Sequence, residues 1–597
     1  MGLSSTVSLT ANGLQVAQRA TQVVAGNISA ASSDGYTAKT LSVAGIYTED
    51  GLVGFRTSVS RAYDQEVYDQ LIAATGSTSY LETKATVTSR IDQILGNTQT
   101  GASLSTALAT FTADLQTLAA QADDEAAQIS AADSAAALAQ TVRAVAASVV
   151  DAKVGVENDI DDGIDAVNAL LQQISDLNTR TAASSAAGLD TTGLLDETDK
   201  AVLKLATYID VRMARAENGT VRISTGEALT LVDNARPTQF ARDAEGKLIV
   251  ANDGNGEVDV IAAGLVTSGS LAALYQARDT LLPQVSGQLD RFAAQLASTL
   301  SDTTTAGTAV TSGAASGQSI DLSDLSSGNT AQLVWKDAGG ASHTVTFVKV
   351  TSASSLPVPA DATLDPNDTV VGVDFSGGMS SVVTQIQSAL GSGFTVSNPS
   401  GSTLQILDDG AAGTTDVGAL TKTVTATTTQ SGNPALAVFV DADGLYTGSY
   451  DGASQRDGFA TRIRINDAIA ADPSLLVQYG PTTANADATR VTHLQAAVMD
   501  DTADTALGGG STVSKKTLAD YSNSMVAYWA GQKNSADTAH SNQSVVQANL
   551  QSSMASISSV STDQELAKLI QLQSTYAANA RVMSTLRDML NTLVNSI

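Results

Sequence analysis

The nine prolines of this 597-residue chain all lie between Pro237 and Pro481. A proline inside a helix removes a backbone hydrogen bond and costs about 3 kcal/mol. Its absence from the 236 residues before and the 116 after therefore predicts long helices in both terminal arms. The block 303–430 is instead rich in Thr, Ser and Gly, and its segment Ala331–Val350 predicts two strands around a Gly-Gly loop.

The C-terminal arm carries the clearest helical pattern. Ten positions from 565 to 597 follow one another in steps of four and three, and eight of them are apolar, which is typical of a coiled-coil seam. Thr562 and Glu565 have capping-box spacing, which predicts Thr562 as the N-cap of this helix with Glu565 reaching back to it. The candidate seam residues of this arm are Leu569, Leu572, Tyr576, Met583, Leu586, Leu590, Leu593 and Ile597.

The N-terminal arm repeats the same step from residue 3 to residue 28, more weakly, since two threonines and an alanine lie on it. An ordinary helix facing a protein core would show such a stripe too. Neither terminal helix can bury its stripe alone, however, so we expect the two chain ends to pair. The candidate seam residues of this arm are Leu3, Val7, Leu14, Val24 and Ile28.

The charge balance excludes several classes of partner. With 61 acidic and 32 basic residues the formal net charge is −29, which argues against nucleic acid and against an anionic membrane as partners.

No apolar run approaches the roughly 18 residues of a membrane span. The chain has no cysteine, so neither disulfides nor thiolate metal sites are expected.

The reactive residues do not form a recognisable active site. The only histidines are His343, His493 and His540, and none has a partner at metal-ligand spacing. The segment Asp441–Gly444 begins like a calcium loop but lacks the remaining ligand positions, so we expect a turn. We therefore predict no catalytic residue, no cofactor and no metal, and a protein that is not an enzyme.

A short polar motif follows the N-terminal helix. Gly35 can adopt the positive φ that ends the helical region, and Tyr36 can anchor the departing chain against that helix. The motif resembles the N-terminal signature of the bacterial flagellar axial proteins, with Gly26 and Ala38-Lys39 as departures from it. The matching residues are Asn27, Ile28, Ser29, Gly35, Tyr36 and Thr37.

Further segments extend this resemblance to the flagellar family. The C-terminal arm from Leu566 to Asn595 is similar to the matching terminal motif of the axial proteins. Inside the chain, Gly193–Val211 resembles a helix of the hook-associated members, with Leu194, Leu195, Asp196 and Asp199 as matching residues. Gly269–Ala297, with Arg278-Asp279 as its marker, and Phe459–Tyr479 resemble two further segments of those members.

The resemblance implies an α+β fold with an inner and an outer part. The long terminal helices would form a coiled-coil-like inner domain from residues 1–40 and 561–597. A mainly helical, rod-like domain with a small β part would occupy 41–302 and return in 431–560. The block 303–430 would be a β-rich outer insertion of variable character.

The resemblance also implies a structural function outside the cell. Such proteins are exported unfolded by the flagellar type III pathway and assemble as a ring at the distal end of the hook, forming the junction on which the filament is built. The implied partners are other copies of the chain, the hook protein, a second junction protein and an export chaperone bound to the C-terminal stripe, with no nucleic acid and no membrane. The alternatives are a hook subunit of the same family and a flagellum-displayed adhesin carried by the β-rich insertion.

Overall fold

The structure, a computed structural model, combines long helices with several small sheets, so the predicted α+β class is confirmed. Its residues form two compact units, one from Met1–Val87, Val156–Ala277 and Asn534–Ile597 and the other from Thr88–Gly155 and Arg278–Lys533. We call these unit 1 and unit 2. The described residues are 3–33, 35–49, 51–96, 103–226, 229–233, 236–251, 258–363, 365, 367–500, 503–504 and 515–595.

Long helices occupy most of both terminal arms, as the proline distribution predicts, and short strands lie between some of them. The longest, from Glu125 to Ala186, has 62 residues, and a five-residue π-helical turn at Ala277–Leu281 separates two helices in the middle of the chain. The helices are α1 (Leu3–Ala30), α2 (Gln65–Leu95), α3 (Leu104–Ala120), α4 (Glu125–Ala186), α5 (Thr192–Ala206), α6 (Gly269–Gln276), α7 (Leu282–Ser301), α8 (Gly378–Leu390), α9 (Phe459–Arg462), α10 (Asp467–Ala471), α11 (Thr489–Met499), α12 (Leu518–Ser558) and α13 (Thr562–Asn595).

The strands are mostly short and pair with strands close to them in sequence. They are β1 (Lys39–Thr48), β2 (Gly51–Arg61), β3 (Arg212–Arg215), β4 (Val221–Ser224), β5 (Thr230–Asp233), β6 (Arg236–Pro237), β7 (Phe240–Arg242), β8 (Leu248–Val250), β9 (Asp302–Ala306), β10 (Thr308–Ser312), β11 (Ala315–Asp321), β12 (Thr330–Asp337), β13 (Ser342–Val350), β14 (Thr369–Asp374), β15 (Thr395–Ser397), β16 (Thr403–Leu407), β17 (Thr415–Thr425), β18 (Phe439–Val440), β19 (Arg464–Ile465), β20 (Ala503–Asp504) and β21 (Lys515–Lys516).

Helix α4 carries one apolar stripe along its length. Val142, Val149, Ile160, Leu171 and Ile174 lie on it and are almost fully buried. Among the described residues, α4 is the one helix that by length and composition could cross a membrane, and 39% of its most apolar stretch is buried. A buried stripe at three-and-four spacing is the pattern of a helix packed against a protein core.

The strands of unit 2 between residues 302 and 425 form two sheets around a common core. One sheet has the order β14-β13-β12-β17-β9, with only the β13–β14 pair parallel, and the other has the order β10-β11-β16-β15. The two strands predicted in Ala331–Val350 are β12 and β13, which pair antiparallel as expected. Leu333, Phe347 and Ile406 lie in the core between the strands and α8.

The segment Asp441–Gly444 forms the predicted turn. The N–H of Gly444 donates to the carbonyl of Asp441 (3.2 Å), and the N–H of Asp441 donates back to the carbonyl of Gly444 (2.8 Å). The carboxylate of Asp441 pairs with the guanidinium of Arg462 at 2.9 Å, so its charge has a protein partner.

In unit 1, α1 packs along α13 and against the hairpin of β1 and β2. The hairpin pairs antiparallel from Lys39 opposite Arg61 to Thr48 opposite Gly51, with one irregularity beside Ile46. The chain therefore leaves α1, runs out and back along the hairpin, and enters α2 close to its starting point. This arrangement brings the motif after α1 next to α5 and to the first turn of α13.

Candidate functional site

The predicted C-terminal seam coincides with the least exposed side of α13. Glu565 and Leu586 are buried, and Leu569, Leu572, Met583 and Leu590 are half-buried, whereas Tyr576 remains 40% exposed. Nearly all other described side chains of this helix are exposed. Residue Ile597 and the side chain of Leu593 lie outside the described residues.

The predicted N-terminal seam faces α13 with smaller side chains. Val24 is buried, and Val7, Leu14 and Ile28 are half-buried. The side chain of Leu3 lies outside the described residues. The two helices run antiparallel, because Asn27 near the end of α1 contacts Glu565 in the first turn of α13, while Gln18 contacts Tyr576 further along. The structure thus brings the two chain ends together, although the function of the seam residues in assembly stays a proposal.

Pairing with α1 leaves large apolar side chains of α13 uncovered. Leu566 and Ile570 on one flank of the seam, and Val582 and Met589 on the other, are 47–68% exposed. A single partner helix covers only one side of such a rod. The terminal helix pair therefore presents apolar surface on both sides of its seam, which is typical of a protein interaction site.

Asn27 of the sequence motif is the central residue at the base of this helix pair. Its side chain is 1% exposed, and all of its hydrogen-bonding positions are used. Nδ2 donates to the carbonyl of Lys39 (2.8 Å) and to Oε2 of Glu565 (3.1 Å). Oδ1 accepts from the N–H of Lys39 (3.0 Å) and from the hydroxyl of Tyr36 (2.9 Å). One amide side chain thus ties α1, the start of β1 and the start of α13 together.

Gly35 and Tyr36 have the structure predicted from the motif. Gly35 has a φ of 74°, a conformation that favours glycine. The ring of Tyr36 then folds back towards α1, and the ammonium of Lys39 lies 4.6 Å from its centroid. Burial, and after it the carboxylates of Asp196 and Glu565, raise the pKa of Tyr36, so its hydroxyl keeps the proton that it donates to Asn27.

Thr37 connects the motif to a buried ionic group on α5. Its hydroxyl donates to Oδ1 of Asp196 (2.7 Å), which also accepts from Arg61 (2.9 Å). Arg61 reaches Asp199 as well (2.8 Å), and Arg215 pairs with the same Asp199. Burial alone lowers the pKa of Arg61, but Asp199 and Asp196 outweigh it and the net shift is upward, so the guanidinium stays charged.

A backbone contact completes the connection to the second terminal arm. The N–H of Ala38 donates to the carbonyl of Ser558 (2.7 Å), the last residue of α12, and the carbonyl of Ala38 accepts from Ala62 (2.8 Å). We call the group around these contacts the polar cluster. Its members are Asn27, Tyr36, Thr37, Lys39, Arg61, Asp196, Asp199, Arg215 and Glu565.

The capping-box prediction is wrong. Helix α13 begins at Thr562, so Thr562 is its first residue rather than its cap. The carboxylate of Glu565 points away from the helix start, where it accepts from Asn27 and pairs with Lys568 (2.6 Å). The buried amide of Asn27 offers this carboxylate a partner that local capping does not provide.

Sequence reasoning found part of the polar cluster and missed the rest. Asn27, Tyr36 and Thr37 were identified by the motif, while Ile28 contributes half-buried apolar surface and Ser29 is exposed. Asp196 and Asp199 belong to the resembling segment Gly193–Val211, and their i, i+3 spacing on α5 places two carboxylates on one helix face. Arg61 and Arg215 lie at the ends of strands, and no local pattern marks them.

The polar cluster connects chain segments in the way of a structural hydrogen-bonding network. Among the described residues, no three His, Asp or Glu side chains are grouped so as to hold a metal ion. Of the three histidines, exposed His343 hydrogen-bonds to Asp337 in unit 2 (3.0 Å). Each carboxylate of the polar cluster accepts at least one hydrogen bond from a guanidinium, hydroxyl or amide group. The buried Oδ2 of Asp196 has no hydrogen bond to a described residue and lies 3.6 Å from the ammonium of Lys39. The contacts of the cluster therefore join chain segments to one another.

Two family models match the chain. Residues 88–320 match the helical domain of the flagellar hook-associated protein FlgK, and residues 551–596 match the C-terminal region of the flagellar basal body rod proteins FlgEFG. The second match covers the end of α12 and nearly all of α13. The chain is therefore similar to the basal body rod proteins FlgEFG at its C-terminal helix and to the hook-associated protein FlgK over residues 88–320.

The chain is also similar to individual flagellar proteins. The chain is 27% identical to flagellar hook-associated protein 1 of Escherichia coli over 49% of its own length and 55% of that protein. It is 26% identical to the protein of the same name from Bacillus subtilis over 43% and 54% of the two lengths. The predicted likeness to flagellar hook-associated protein 1 is thus confirmed, and the chain spans about half the length of the curated relatives it matches.

A solved structure is also similar to this one. The flagellar hook junction protein FlgK from Burkholderia pseudomallei matches 82% of this chain and 100% of its own, with 15% sequence identity and a TM-score of 0.46.

Proposed function

We propose that this chain is a structural protein of the bacterial flagellum that assembles at the distal end of the hook and forms the junction on which the filament is built. The observation that carries the proposal is the terminal helix pair. Its seam is closed by the chain's own two ends, its flanks remain apolar and exposed, and its C-terminal helix lies in the segment that matches the axial proteins. The likeness to flagellar hook-associated protein 1 selects the junction among the axial assemblies.

In this proposal the helix pair is a coiled-coil-like inner domain that contacts neighbouring subunits in a ring. The seam residues hold α1 and α13 together, while Leu566, Ile570, Val582 and Met589 pack against adjacent copies. The helical middle of the chain forms a rod-like part, and the β-rich block 303–430 lies on the outside. The domain boundaries predicted above belong to this proposal.

The proposed partners follow from the same position in the flagellum. They are further copies of the chain, the hook protein on one side and the second junction protein on the other. An export chaperone would cover the apolar surface of α13 before the chain leaves the cell through the type III pathway, because exposed apolar stripes promote association. The proposal includes no enzymatic activity, no nucleic acid and no membrane.

The test is a strain that lacks this chain. Electron microscopy counts hooks and filaments, and an immunoblot of the medium measures shed filament protein. We expect hooks without filaments, and filament protein in the medium, because filament subunits would be exported with nothing to start on. Missing hooks would identify a hook or rod component instead. Normal filaments would refute an assembly function and favour the adhesin alternative.

Complementation of that strain tests the surface. Leu586→Asp places a charge on the buried side of α13, whereas Ser584→Asp places the same charge on an exposed position of the same helix. We expect the first variant to be exported but to leave the strain without filaments, and the second to restore swimming. Filaments built by the Leu586→Asp variant would contradict the proposed seam.

A further inference from the structure

The apolar seam by itself leaves the alignment of the two terminal helices ambiguous. Its positions on α13 repeat every seven residues, so a shift by one heptad, about 10 Å along the axis, replaces each seam residue with another of the same series. On α1 the facing residues include Thr10, Gly13, Ala17 and Thr21, which are small and fill few specific holes. Apolar contacts of this kind distinguish poorly between one alignment and the next.

One buried polar contact distinguishes the alignments, and one packing contact accompanies it. At the base, Nδ2 of buried Asn27 donates to Glu565, whose side chain is only 6% exposed. Further along, Gly13 lies against the amide of Asn579, and a Cβ added at Gly13 would come within 3.4 Å of its Nδ2. Asn579 is the one uncharged polar residue among the ten C-terminal seam positions, and its half-buried amide packs against Gly13.

The spacing of these two contacts is the same on both helices. Fourteen residues separate Gly13 from Asn27 on α1, and fourteen separate Glu565 from Asn579 on α13. Both contacts form together in one antiparallel alignment. The contact between Gln18 and Tyr576, at 3.5 Å, belongs to the same alignment.

We propose that the buried pair of Asn27 and Glu565 determines the register in which the two ends of this chain pair, and that the packing of Gly13 against Asn579 belongs to the same register. A shift by one heptad would place Leu572 opposite Asn27 and remove Glu565, one of the two acceptors of its Nδ2. A buried donor without its acceptor is costly, so the observed register is favoured because it gives the second N–H of the Asn27 amide its acceptor. A polar residue in an apolar seam can specify register in this way.

The absence of cysteine from the chain makes the register directly measurable. Two double variants of the full chain report on it with a bis-maleimide crosslinker shorter than one heptad. Gln18→Cys with Tyr576→Cys reports the observed register, and Gln18→Cys with Met583→Cys reports the register one heptad away. Intramolecular products are counted by peptide mass spectrometry at low protein concentration.

In the otherwise unchanged chain we expect the first pair to crosslink at least about tenfold more than the second, as one charge-assisted buried hydrogen bond allows. Adding Asn27→Leu and Glu565→Leu should bring the two yields to within about threefold of each other. Glu565→Gln should keep the original ratio, because its amide oxygen can still accept from Asn27.

Leu590→Ala is the matched control, since it weakens the half-buried seam and lies opposite neither Asn27 nor Gly13 in either register. It should reduce both yields and leave their ratio unchanged. Glu565→Leu alone, which retains the bonds of Asn27 to Tyr36 and Lys39, carries the same test if the double variant does not fold. A ratio that stays tenfold in the leucine variants, or a ratio near one in the unchanged chain, would overturn the proposal.

Discussion

Replacing Asn27 with aspartate tests the polar cluster by changing one group of atoms. Aspartate has nearly the same shape and can still accept from Tyr36 and from the N–H of Lys39. It cannot donate, so the bonds to the Lys39 carbonyl and to Glu565 are lost, and a second carboxylate stands next to that of Glu565. The variant therefore changes charge and donor capacity while it preserves packing.

The size of the expected loss of stability follows from these contacts. Two lost hydrogen bonds account for about 2 kcal/mol of net stability. Two carboxylates at the 3.1 Å separation of Nδ2 and Oε2 would repel by about 5 kcal/mol at an effective dielectric constant of 20, so one of them takes up a proton to avoid it. We expect Asn27→Asp to lower the free energy of unfolding of unit 1 by about 3–5 kcal/mol at pH 8.

The variant should also gain a pH dependence of known sign. A carboxyl pair that shares a proton in the folded state has a pKa above its unfolded value. Its stabilising contribution is therefore present at low pH and is lost as the pH rises through the folded pKa. The deficit of the variant should shrink on acidification from pH 8 by up to about 1.4 kcal/mol for each pH unit.

Hydrogen exchange followed by mass spectrometry is the suitable assay, because it separates the terminal helices from the rest of the chain. Peptides of α1, β1 and α13 should exchange faster in the variant, while peptides of unit 2 should not change. Ser29→Ala, on the same helix but exposed, is the control and should behave like the parent protein. Unchanged exchange of α1 in Asn27→Asp at pH 8 would refute the view that Asn27 holds the chain ends together.

Two further predictions concern unit 2. Burial raises the pKa of Asp302 to about 6, with Thr425 and Ser301 donating to its Oδ1, so its contribution to stability is full below pH 4 and is lost as the pH rises through 6. Asp302→Asn can keep both hydrogen bonds without the charge. The variant should be more stable than the parent protein by about 3 kcal/mol at pH 8 and should show no gain at pH 4. Melting temperatures of variant and parent that are equal at both pH values would contradict this. Arg490 is fully buried, and its guanidinium donates to the carbonyls of Asn433, Pro434, Leu475 and Gln478. Arg490→Met should therefore lower the free energy of unfolding, measured by calorimetry, by about 3–5 kcal/mol, and Arg490→Lys should not restore it. An unchanged melting temperature would show that these carbonyls find other partners.

The sequence predicted the helices better than it predicted the contacts between them. The steps of three and four on α13 identified the side that the structure buries, and the positive φ of Gly35 followed from its position after a helix. The capping box failed because Glu565 had two possible partners. A local motif offers it the start of its own helix, whereas the fold offers it Asn27, which lies 538 residues away.

In the polar cluster, too, the local sequence indicates some residues, and only the fold identifies the others. Asn27, Tyr36 and Thr37 stand close together in the chain, so a motif could point to them. Arg61, Asp196 and Arg215 come from a hairpin, a helix and a short sheet, and each residue by itself has the appearance of a solvent-exposed charge. Only their burial together shows that these charges form one ionic group.

What the sequence determined by itself is local: where helices run, which side of each is apolar, and where glycine must turn the chain. These features depend on neighbours three or four residues apart, so a single sequence contains them. The tertiary structure decided which chain end meets which, which register they adopt and which charges are buried. A buried donor or acceptor must find its partner wherever the folded chain brings one, and the distance along the sequence carries no information about that choice.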